Sequence, residues 1–365
     1  MDQTQLTIVI PNRNRDLDRI KRSLKSVYSQ LDYSTSLYLV DYGSAADYQE
    51  QLQKILKQFP NVDLILCPTY SQLWNKSRAI NIVLKNCKTN YFMVCDMDML
   101  WHPDFLKTER ELWCRSDATY YTVGILTRKE TEQEKDFGDY QIKFQTGSEA
   151  TGITVFNTEA LKSINGFDEY FHGWGAEDTD VHNRLRNAGF NVRFRDTENY
   201  FLHQWHPKDY RSVKSKVPFH KHLERINHEY SRLSRNLKRI KANNQCDWGL
   251  PCNENNYLKL EQPNLLISIK TYREDVVALC AQLTQVKPGQ TIRFTIVPVP
   301  YAEILKFNLK MALGKKKVKK RIGMEEVNEM LLEQLVTVNR NCPYNYNYDR
   351  NAGIIELTIF LKSYH

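Results

Sequence analysis

Residues 6–15, LTIVIPNRNR, set the first element of the fold. An apolar, β-branched run ends at a proline, which is typical of a short buried strand. Polar and basic side chains follow at once, where a parallel strand would meet its ligand. Apolar residues then recur at Leu17, Ile20, Leu24 and Val27 with helical spacing, so the stretch opens a β–α unit.

The same alternation continues through the first half of the chain. Strand-like runs lie at 36–44, 62–68, 91–100 and 152–157, and a helical run lies at 77–87. Strands that alternate with helices predict βαβ units, and hence an α/β fold with a mostly parallel, Rossmann-like sheet flanked by helices. Ligands of such sheets bind at the carboxyl ends of the strands.

The length of 365 residues and a hydrophobic content of 41% are enough for two domains. We expect a catalytic domain at 1–207, a basic helical connector at 208–245 and a small α/β accessory domain of unknown role at 246–365. The last of these carries strand-like runs at 264–272, 292–299 and 353–362, separated by helical patterns at 274–283 and 324–335.

The charge and the cysteines narrow the class of protein. Much of the net charge of +8 lies between Lys208 and Lys241 and in GKKKVKKR, residues 314–321. These segments predict either peripheral contact with an anionic membrane surface or simple solvation. Aromatic residues are not interleaved with the lysines, so no nucleic acid is expected. The eight cysteines form no C-x-x-C motif and are expected to be reduced thiols.

A secretory signal and a membrane-spanning segment are the two features of a sequence that bear on localisation. The first residues lack a basic region followed by an apolar one, and no apolar run approaches the roughly 20 residues that span a bilayer. The sequence therefore predicts a cytoplasmic protein, with contact at the inner face of the membrane as the additional option that the basic segments leave open.

Two carboxylates follow the fourth strand-like run, in CDMDML. Asp96 and Asp98 are two positions apart, and carboxylates at such a distance repel each other. A divalent cation removes that repulsion, and oxygen ligands suit Mg²⁺ or Mn²⁺, which also bind diphosphates. The alternative is a pair of solvated aspartates in a turn.

The ends of the first two strands offer groups for a nucleotide. Arg13 and Arg15 could pair with phosphate oxygens, and Asn12 could hydrogen-bond to a ribose or a base. Asp41, before a turn glycine, could accept a hydrogen bond from a nucleobase N–H. Surface charge and ordinary turn chemistry are the alternatives.

Two histidines lie three positions apart in FLHQWHP. Neutral imidazole is a ligand for manganese as well as zinc. His203 and His206, added to an aspartate, would make a mixed nitrogen and oxygen site. Polar loop filler is the alternative.

The segment GWGAEDTD, residues 173–180, crowds acidic side chains beside an indole. Helical spacing after it predicts a helix at about 178–188, so part of the acidity, Asp180 in particular, is expected to cap that helix. Capping does not require the glycines or Trp174. Glycines allow close backbone approach to a ligand, and an indole face stacks on sugar rings.

Taken in order, these motifs resemble the metal-dependent nucleotide-sugar glycosyltransferases of the GT-A fold. More narrowly, the chain resembles the β-1,4-galactosyltransferases and the bacterial chondroitin-polymerase-type transferases. VIPNRNR is similar to the Ile-Pro-Phe-Arg-Asn-Arg motif of that group, WNKSRAINI to its Phe-Asn-Arg-Ala segment, and CDMDML to its Asp-Val-Asp motif. Residues 164–185 resemble its Trp-Gly-Trp-Gly-Gly-Glu-Asp-Asp-Asp block. The resemblance covers roughly residues 6–206.

The resemblance implies a role for each matching residue. Asp178 would be the general base, and Glu177 would position substrate hydroxyls. Asp98 would bind Mn²⁺ or Mg²⁺ together with His203 and His206, of which His203 takes the place of a methionine. Trp174 and Gly175 would face the acceptor sugar. The nucleotide-sugar would contact Pro11, Asn12, Arg13, Arg15, Asp41, Asn75, Lys76, Arg78, Asp96 and Gly152.

Three positions depart from the pattern. His172 stands where the group has its first tryptophan, Ala176 replaces a glycine, and Thr179 replaces the middle aspartate. We expect all three to surround the acceptor, so the acceptor is the substrate that the resemblance leaves open.

The sequence thus predicts inverting transfer of a hexose or N-acetylhexosamine from a UDP-sugar to a saccharide hydroxyl, in surface polysaccharide or glycoconjugate synthesis. A retaining transferase or a nucleotidyltransferase on a similar sheet could also use two spaced aspartates. From another class, a non-catalytic carbohydrate- or membrane-binding module remains an alternative.

Overall fold

The computed structural model describes residues 5–207, 220–245, 247–314 and 319–361. The basic segments for which membrane contact is predicted lie in part outside this range, at 208–219 and 315–318. Within the described part of the chain, every helix is too short or too polar to cross a bilayer. The seven cysteines among these residues are free thiols.

The chain divides into two compact units. The first comprises the described parts of Met1–Cys67, Trp74–Lys214 and Glu224–Pro251, and the second those of Pro68–Leu73, Ser215–Leu223 and Cys252–His365. The six residues 68–73 therefore belong to the second unit although they lie within the first in sequence. Each unit has its own sheet, so the predicted α/β class with a second, smaller α/β unit is confirmed.

The first unit is built on a seven-stranded sheet. In chain order its strands are β1 (Leu6–Asn12), β2 (Thr35–Tyr42), β3 (Val62–Cys67), β4 (Tyr91–Val94), β6 (Ala118–Tyr121), β9 (Thr154–Asn157) and β10 (Val192–Arg195). Their spatial order is β10-β6-β9-β4-β1-β2-β3. β9 runs antiparallel to β4 and β6, and the remaining pairs are parallel.

A smaller sheet with the order β5-β11-β7-β8 lies in the same unit. Its strands are β5 (Met99–Trp101), β7 (Gly124–Leu126), β8 (Ile142–Gln145) and β11 (Phe201–His203). The single strand predicted at 91–100 is therefore wrong, because β4 ends at Val94 and Met99 begins β5 in this second sheet. Both strands are mostly buried, and the two aspartates at 96 and 98 lie in the turn between them.

Helices cover the large sheet because their apolar residues recur with a period of 3.6. In α1, for example, Ile20, Leu24 and Val27 are buried. The helices of the first unit are α1 (Leu17–Tyr28), α2 (Ala46–Leu56), α3 (Lys76–Asn86), α4 (Phe105–Glu109), α5 (Arg128–Thr131), α6 (Thr158–Ser163) and α7 (Glu177–Asn187), followed by α8 (His220–Asn236) from Glu224 onward. Short 3₁₀ turns lie at Arg110–Arg115 and Phe137–Asp139.

The second unit holds a four-stranded sheet with the order β12-β13-β15-β14. Its strands are β12 (Leu265–Lys270), β13 (Thr291–Val297), β14 (Tyr344–Asp349) and β15 (Ile354–Phe360), and its helices are α9 (Glu254–Leu258), α10 (Arg273–Gln282), α11 (Tyr301–Ala312) and α12 (Met324–Thr337), with a 3₁₀ turn at Lys259–Glu261. β14 and α11 were not predicted from the sequence. The three predicted strands and two predicted helices of this unit are confirmed.

Candidate active site

The predicted site residues follow β1, β2 and β4 at one edge of the large sheet. Because β1 lies between β2 and β4 and runs parallel to both, the carboxyl ends of all three strands open on the same side. The chain passes to opposite sides of β1 on its way to β2 and β4, which makes this edge a topological switch point. Ligands of open α/β sheets bind at such points.

Asp98, His203 and His206 form a cluster at this edge. The Asp98 Oδ2 lies 3.6 Å from His203 Nε2 and 3.3 Å from His206 Nε2. β11 pairs with β5 so that His203 is opposite Met99, and this register brings a residue more than 100 positions away beside the aspartate. The backbone oxygen of Asp98 accepts a hydrogen bond from Gln204 N at 2.9 Å.

The donor set of this cluster fits a divalent ion. One potential ligand atom from each residue lies within 4.8 Å of the others. The His206 Nδ1 is 2.9 Å from the Pro207 carbonyl oxygen, and this contact orients the ring so that Nε2 faces Asp98. The Asp98 Oδ1 is buried without a hydrogen-bond partner among the described residues. A buried carboxylate oxygen of this kind is an available metal ligand.

The pKa of Asp98 reflects the same surroundings. Burial raises the pKa of the carboxyl, but the nearby His203, His206 and Arg15 outweigh burial and hold the pKa below its usual range. The carboxylate is therefore ionised, as a metal ligand must be.

A second cluster surrounds the buried ammonium of Lys76. Its Nζ lies 2.9 Å from an oxygen of Asp96, 3.0 Å from Asp178 Oδ2 and 3.6 Å from an oxygen of Glu177. Burial lowers the pKa of this lysine, but the three carboxylates raise it well above its ordinary value, so the ammonium stays charged. Lys76, predicted to contact the nucleotide-sugar, thus joins the donor-side Asp96 to the predicted base.

The carboxyl of Asp178 has a raised pKa. Burial raises its pKa to about 7, with Glu177 and Asp96 adding to the rise and Lys76 opposing it. Its Oδ1 is buried without a hydrogen-bond partner in the described part of the chain, while Oδ2 is held by Lys76. A carboxylate with one oriented oxygen and one free oxygen near neutral pKa suits a general base.

The backbone before α7 explains the glycines of GWGAEDTD. Gly173, Gly175 and Ala176 have φ of 76°, 104° and 73°, in the left-handed region that glycine adopts without steric cost. α7 begins directly afterwards, at Glu177, close to the predicted start. The turn therefore aims Glu177 and Asp178 into the site.

The predicted capping role of Asp180 is wrong. Ala176 occupies the N-cap position of α7, with no side-chain capping bond. Asp180 is buried and its Oδ2 accepts from Arg184 Nε at 2.6 Å, one helical turn further on. Its charge is neutralised by this guanidinium rather than by free N–H groups.

Asp41 lies behind the β1 loop. Its side chain is fully buried, and its oxygens accept hydrogen bonds from Asn12 Nδ2 at 2.8 Å, Ser44 Oγ at 2.6 Å and Gln49 Nε2 at 2.9 Å. These contacts fix Asn12 and the β2–α2 turn. The geometry gives Asp41 a positioning role and does not support its predicted direct contact with a nucleobase.

Several other predicted site residues are buried and contact protein groups beside the site. The Asn75 Oδ1 accepts from Arg78 N at 2.8 Å as the N-cap of α3, and its Nδ2 is 3.2 Å from His172 Nε2. Asn75, Arg78, His172 and Pro11 are all buried. The expectation that His172 faces the acceptor is therefore wrong, since this ring ties α3 to the loop that carries Trp174. Arg13 is partly exposed and Arg15 exposed beside β1.

A cleft of about 500 Å³ opens beside Asp178. It brings together six of the predicted residues, which are Asp96, Gly152, Trp174, Gly175, Glu177 and Asp178. The opposite wall comes from α8 and was missed. It consists of His228, Ser231, Arg232 and Arg235, whose spacing of i, i+3, i+4 and i+7 places them on one helical face. That periodicity was present in the sequence but was interpreted as a solvated connector.

Two family models match the first unit. The model described as glycosyl transferase family 2 matches residues 7–164, and that described as the N-terminal domain of galactosyltransferase matches residues 134–207. Together they span both clusters of the site. Residues 7–207 form a glycosyltransferase domain.

Curated relatives match the glycosyltransferase domain over part of their length. Chondroitin sulfate synthase 3 of Mus musculus is 26% identical over 168 residues, covering 43% of this chain and 19% of that protein. Beta-1,4-galactosyltransferase 5 of Homo sapiens is 36% identical over 78 residues, covering 21% of this chain and 19% of that protein. The chain thus spans about a fifth of the length of these relatives.

Among solved structures, residues 1–349 of TarS from S. aureus, in complex with UDP-GlcNAc, match with a TM-score of 0.48 and 14% identity. The match covers 70% of this chain and 71% of that one. The predicted glycosyltransferase family agrees with both family models. Both family models end before α8, so the second wall of the cleft lies outside the region they describe.

Proposed function

We propose that the chain is a metal-dependent, inverting glycosyltransferase that moves a hexose or N-acetylhexosamine from a UDP-sugar to a saccharide hydroxyl, in polysaccharide or glycoconjugate synthesis. The observation that carries the proposal is Asp178 at the wall of the cleft. This half-buried carboxylate has one oxygen without a partner among the described residues, and it shares the Lys76 ammonium with Asp96. The family resemblance supports the UDP-sugar as donor.

The reaction is a single displacement. The acceptor hydroxyl oxygen forms a bond to the anomeric carbon of the donor while the bond from that carbon to the β-phosphate oxygen breaks. Asp178 takes the proton of the hydroxyl, and the electron pair of the broken bond leaves with the nucleoside diphosphate. Attack from the face opposite the leaving group inverts the anomeric configuration. A base of this kind contributes about 10²–10⁴ in rate.

The other residues of the two clusters hold the reactants. Asp98, His203 and His206 would bind the divalent ion, whose chemistry when bound is to neutralise charge on the leaving diphosphate. Lys76 favours the ionised form of the base and pairs with the Asp96 carboxylate. Trp174, which is 38% exposed in the cleft, offers its ring to the acceptor sugar.

The test is a screen of UDP-sugars for manganese-dependent UDP release, with and without saccharide acceptors. We expect release that is abolished by a chelator and stimulated by an acceptor, and a product whose anomeric configuration, measured by NMR, is opposite to that of the donor. Retention would contradict the inverting mechanism. Absence of release from every donor, with UDP still bound, would favour a non-catalytic binding module instead.

A further inference from the structure

Helix α8 is fixed against the loop that carries Trp174. The Asn227 Nδ2 donates to the carbonyl oxygens of His172 at 2.8 Å and Trp174 at 3.3 Å. One turn later the Tyr230 ring stacks on Tyr170 with centroids 3.7 Å apart. Contacts with residues 170–174 therefore hold the helix in a defined position in the first unit.

The opposite face of α8 turns to the cleft and is cationic. Arg232 and Arg235 line the cleft together with His228 and Ser231. Helix and loop approach closely here, since a Cβ placed on Gly175 would lie 3.5 Å from His228 Nε2. Two guanidiniums three positions apart thus face the same space as Trp174.

Neither arginine is committed to a buried partner. Arg232 forms an exposed ion pair with Glu229 at 2.7 Å, of the kind that contributes little to stability. No carboxylate lies within ion-pair distance of Arg235 among the described residues, and its side chain is exposed. Both guanidiniums can therefore turn to a ligand without the loss of a buried contact, at the cost of one exposed ion pair for Arg232.

The acidic residues of the cleft lie on the other wall. Asp96, Glu177 and Asp178 share the ammonium of Lys76, which offsets part of their charge. The Glu149 carboxylate accepts a hydrogen bond from the backbone N–H of Gly147 at 3.0 Å. The cleft is consequently polarised, with its carboxylates around the base and its cations on α8.

We infer that the acceptor is an anionic saccharide, whose carboxylate or phosphate is bound by Arg232 and Arg235 while its hydroxyl faces Asp178. The inference rests on the proposed function, because it assigns a substrate class to the same cleft. Guanidinium groups bind carboxylates and phosphates through paired, charge-assisted hydrogen bonds, which makes them selective for these groups over a neutral hydroxymethyl.

The first experiment compares three probes that differ at one carbon. They are the methyl glycosides of glucose, glucuronic acid and glucose 6-phosphate, with the galactose series in parallel. Binding is measured by saturation-transfer NMR with UDP and Mn²⁺ present. We expect at least one anionic probe to bind about tenfold more tightly than its neutral counterpart. Tighter binding of the glucuronic acid probe would identify the anionic group of the acceptor as a carboxylate. Tighter binding of the 6-phosphate probe would identify it as a phosphate. Equal binding of all three, or binding of none, overturns the inference.

The second experiment uses Arg232→Gln/Arg235→Gln, with Arg186→Gln as a control that removes an exposed charge from α7 outside the cleft. We expect the double variant to lose the preference for the anionic probe while affinity for the neutral probe changes less than about twofold. Arg232→Lys/Arg235→Lys should retain part of the preference. An equal loss for both probes would contradict a role in charge recognition.

A third measurement separates this inference from the proposed function. Metal-dependent UDP release from the donor without acceptor should be the same in the double variant and the wild type. If the wild type releases UDP but prefers neutral acceptors, the anionic acceptor is wrong and the transferase activity stands. If no donor is cleaved, the proposed function itself fails.

Discussion

The two acidic clusters lie at the same edge of the large sheet, but the pKa values of their central carboxylates, Asp98 and Asp178, are shifted in opposite directions. Asp98 is buried and Asp178 is half-buried, and each carboxylate has one oxygen without a hydrogen-bond partner among the described residues. Yet the pKa of Asp98 is held below its usual range, whereas that of Asp178 is raised to about 7.

The difference lies in the neighbours of each carboxylate. Asp98 faces two imidazoles and Arg15, and burial is outweighed by these groups. Asp178 faces one ammonium that it shares with Asp96 and Glu177, so burial and like charge prevail. The Asp98 carboxylate therefore stays ionised near neutrality, as a metal ligand must, whereas Asp178 can exchange a proton there.

The largest effect is expected at the cluster of Asp98, His203 and His206, here called the cation cluster. Asp98→Ala removes the ionised ligand and leaves only two imidazoles, so manganese-dependent UDP binding should be abolished in calorimetric titrations. Asp104→Ala, an exposed aspartate six positions further on, serves as the control and should bind as the wild type does. Unaltered manganese-dependent binding in the Asp98 variant would falsify the metal site.

Asp178→Asn should affect chemistry without affecting the donor. The amide cannot take the proton of the acceptor hydroxyl, so turnover should fall at least about a hundredfold. The UDP dissociation constant should stay within about twofold, since Asp98 and its histidines are unchanged. Asp47→Asn makes the same change in the exposed first turn of α2 and should be silent. An active Asp178 variant would require another base.

Lys76 and the three carboxylates around it form the second cluster, here called the proton cluster. Removal of the lysine charge should shift the pH profile of the reaction. In the wild type, kcat/KM should rise with pH through about 7 as Asp178 loses its proton. Lys76→Met removes the positive charge that favours the carboxylate. The pKa of Asp178 then rises, and the acidic limb should move to higher pH by at least about one unit.

The charge-retaining Lys76→Arg is the matched control for that shift. It should lose some activity through altered geometry while keeping the limb near its wild-type position. A limb that moves equally in both variants would show that the position of the profile depends on packing, not on charge.

The smallest effect tests the distance between the two carboxylates of the proton cluster. A Cβ on Gly152 would lie 3.2 Å from Asp96 Oδ2 and 3.6 Å from Asp178 Oδ2. Gly152→Ala should therefore displace Asp96 by a few tenths of an ångström and lower kcat/KM roughly threefold. Gly138→Ala, where an added Cβ meets nothing within 4 Å, is the control. Full activity would show that the Asp96 side chain adapts.

Much of the first unit could be predicted because its signals are local. β1, β2, β3 and the helix α3 follow from apolar runs and periodicity, and the helix α7 from its spacing and its following glycine. The glycosyltransferase family was confirmed because its motifs are short and lie at the ends of those elements. Residues that act through such motifs can be placed from sequence when the strand before them is correct.

Other features depend on contacts that periodicity does not encode. The reversed direction of β9 is invisible in a run of four residues, and so is the transfer of Met99 to a second sheet. The capping role of Asp180 was predicted wrongly, and the hydrogen-bond partners of Asp41 were not foreseen, because residues such as Arg184 and Gln49 carry no signal of these contacts in sequence. The polar face of α8 was indistinguishable from a solvated surface until the fold placed it beside Trp174.

The antiparallel direction of β9 determines where sequence variation can alter the rim of the cleft. β6 ends, and β9 begins, at the catalytic edge, so the excursion between them leaves and rejoins the large sheet at the rim of the cleft. Its outer strand β8 is exposed along its whole length. Variation at residues 149–151, where this excursion rejoins the large sheet and lines the cleft, would reshape the rim without shifting any strand register of the large sheet. The fold thereby offers a modular position at which evolution or design can alter substrate range.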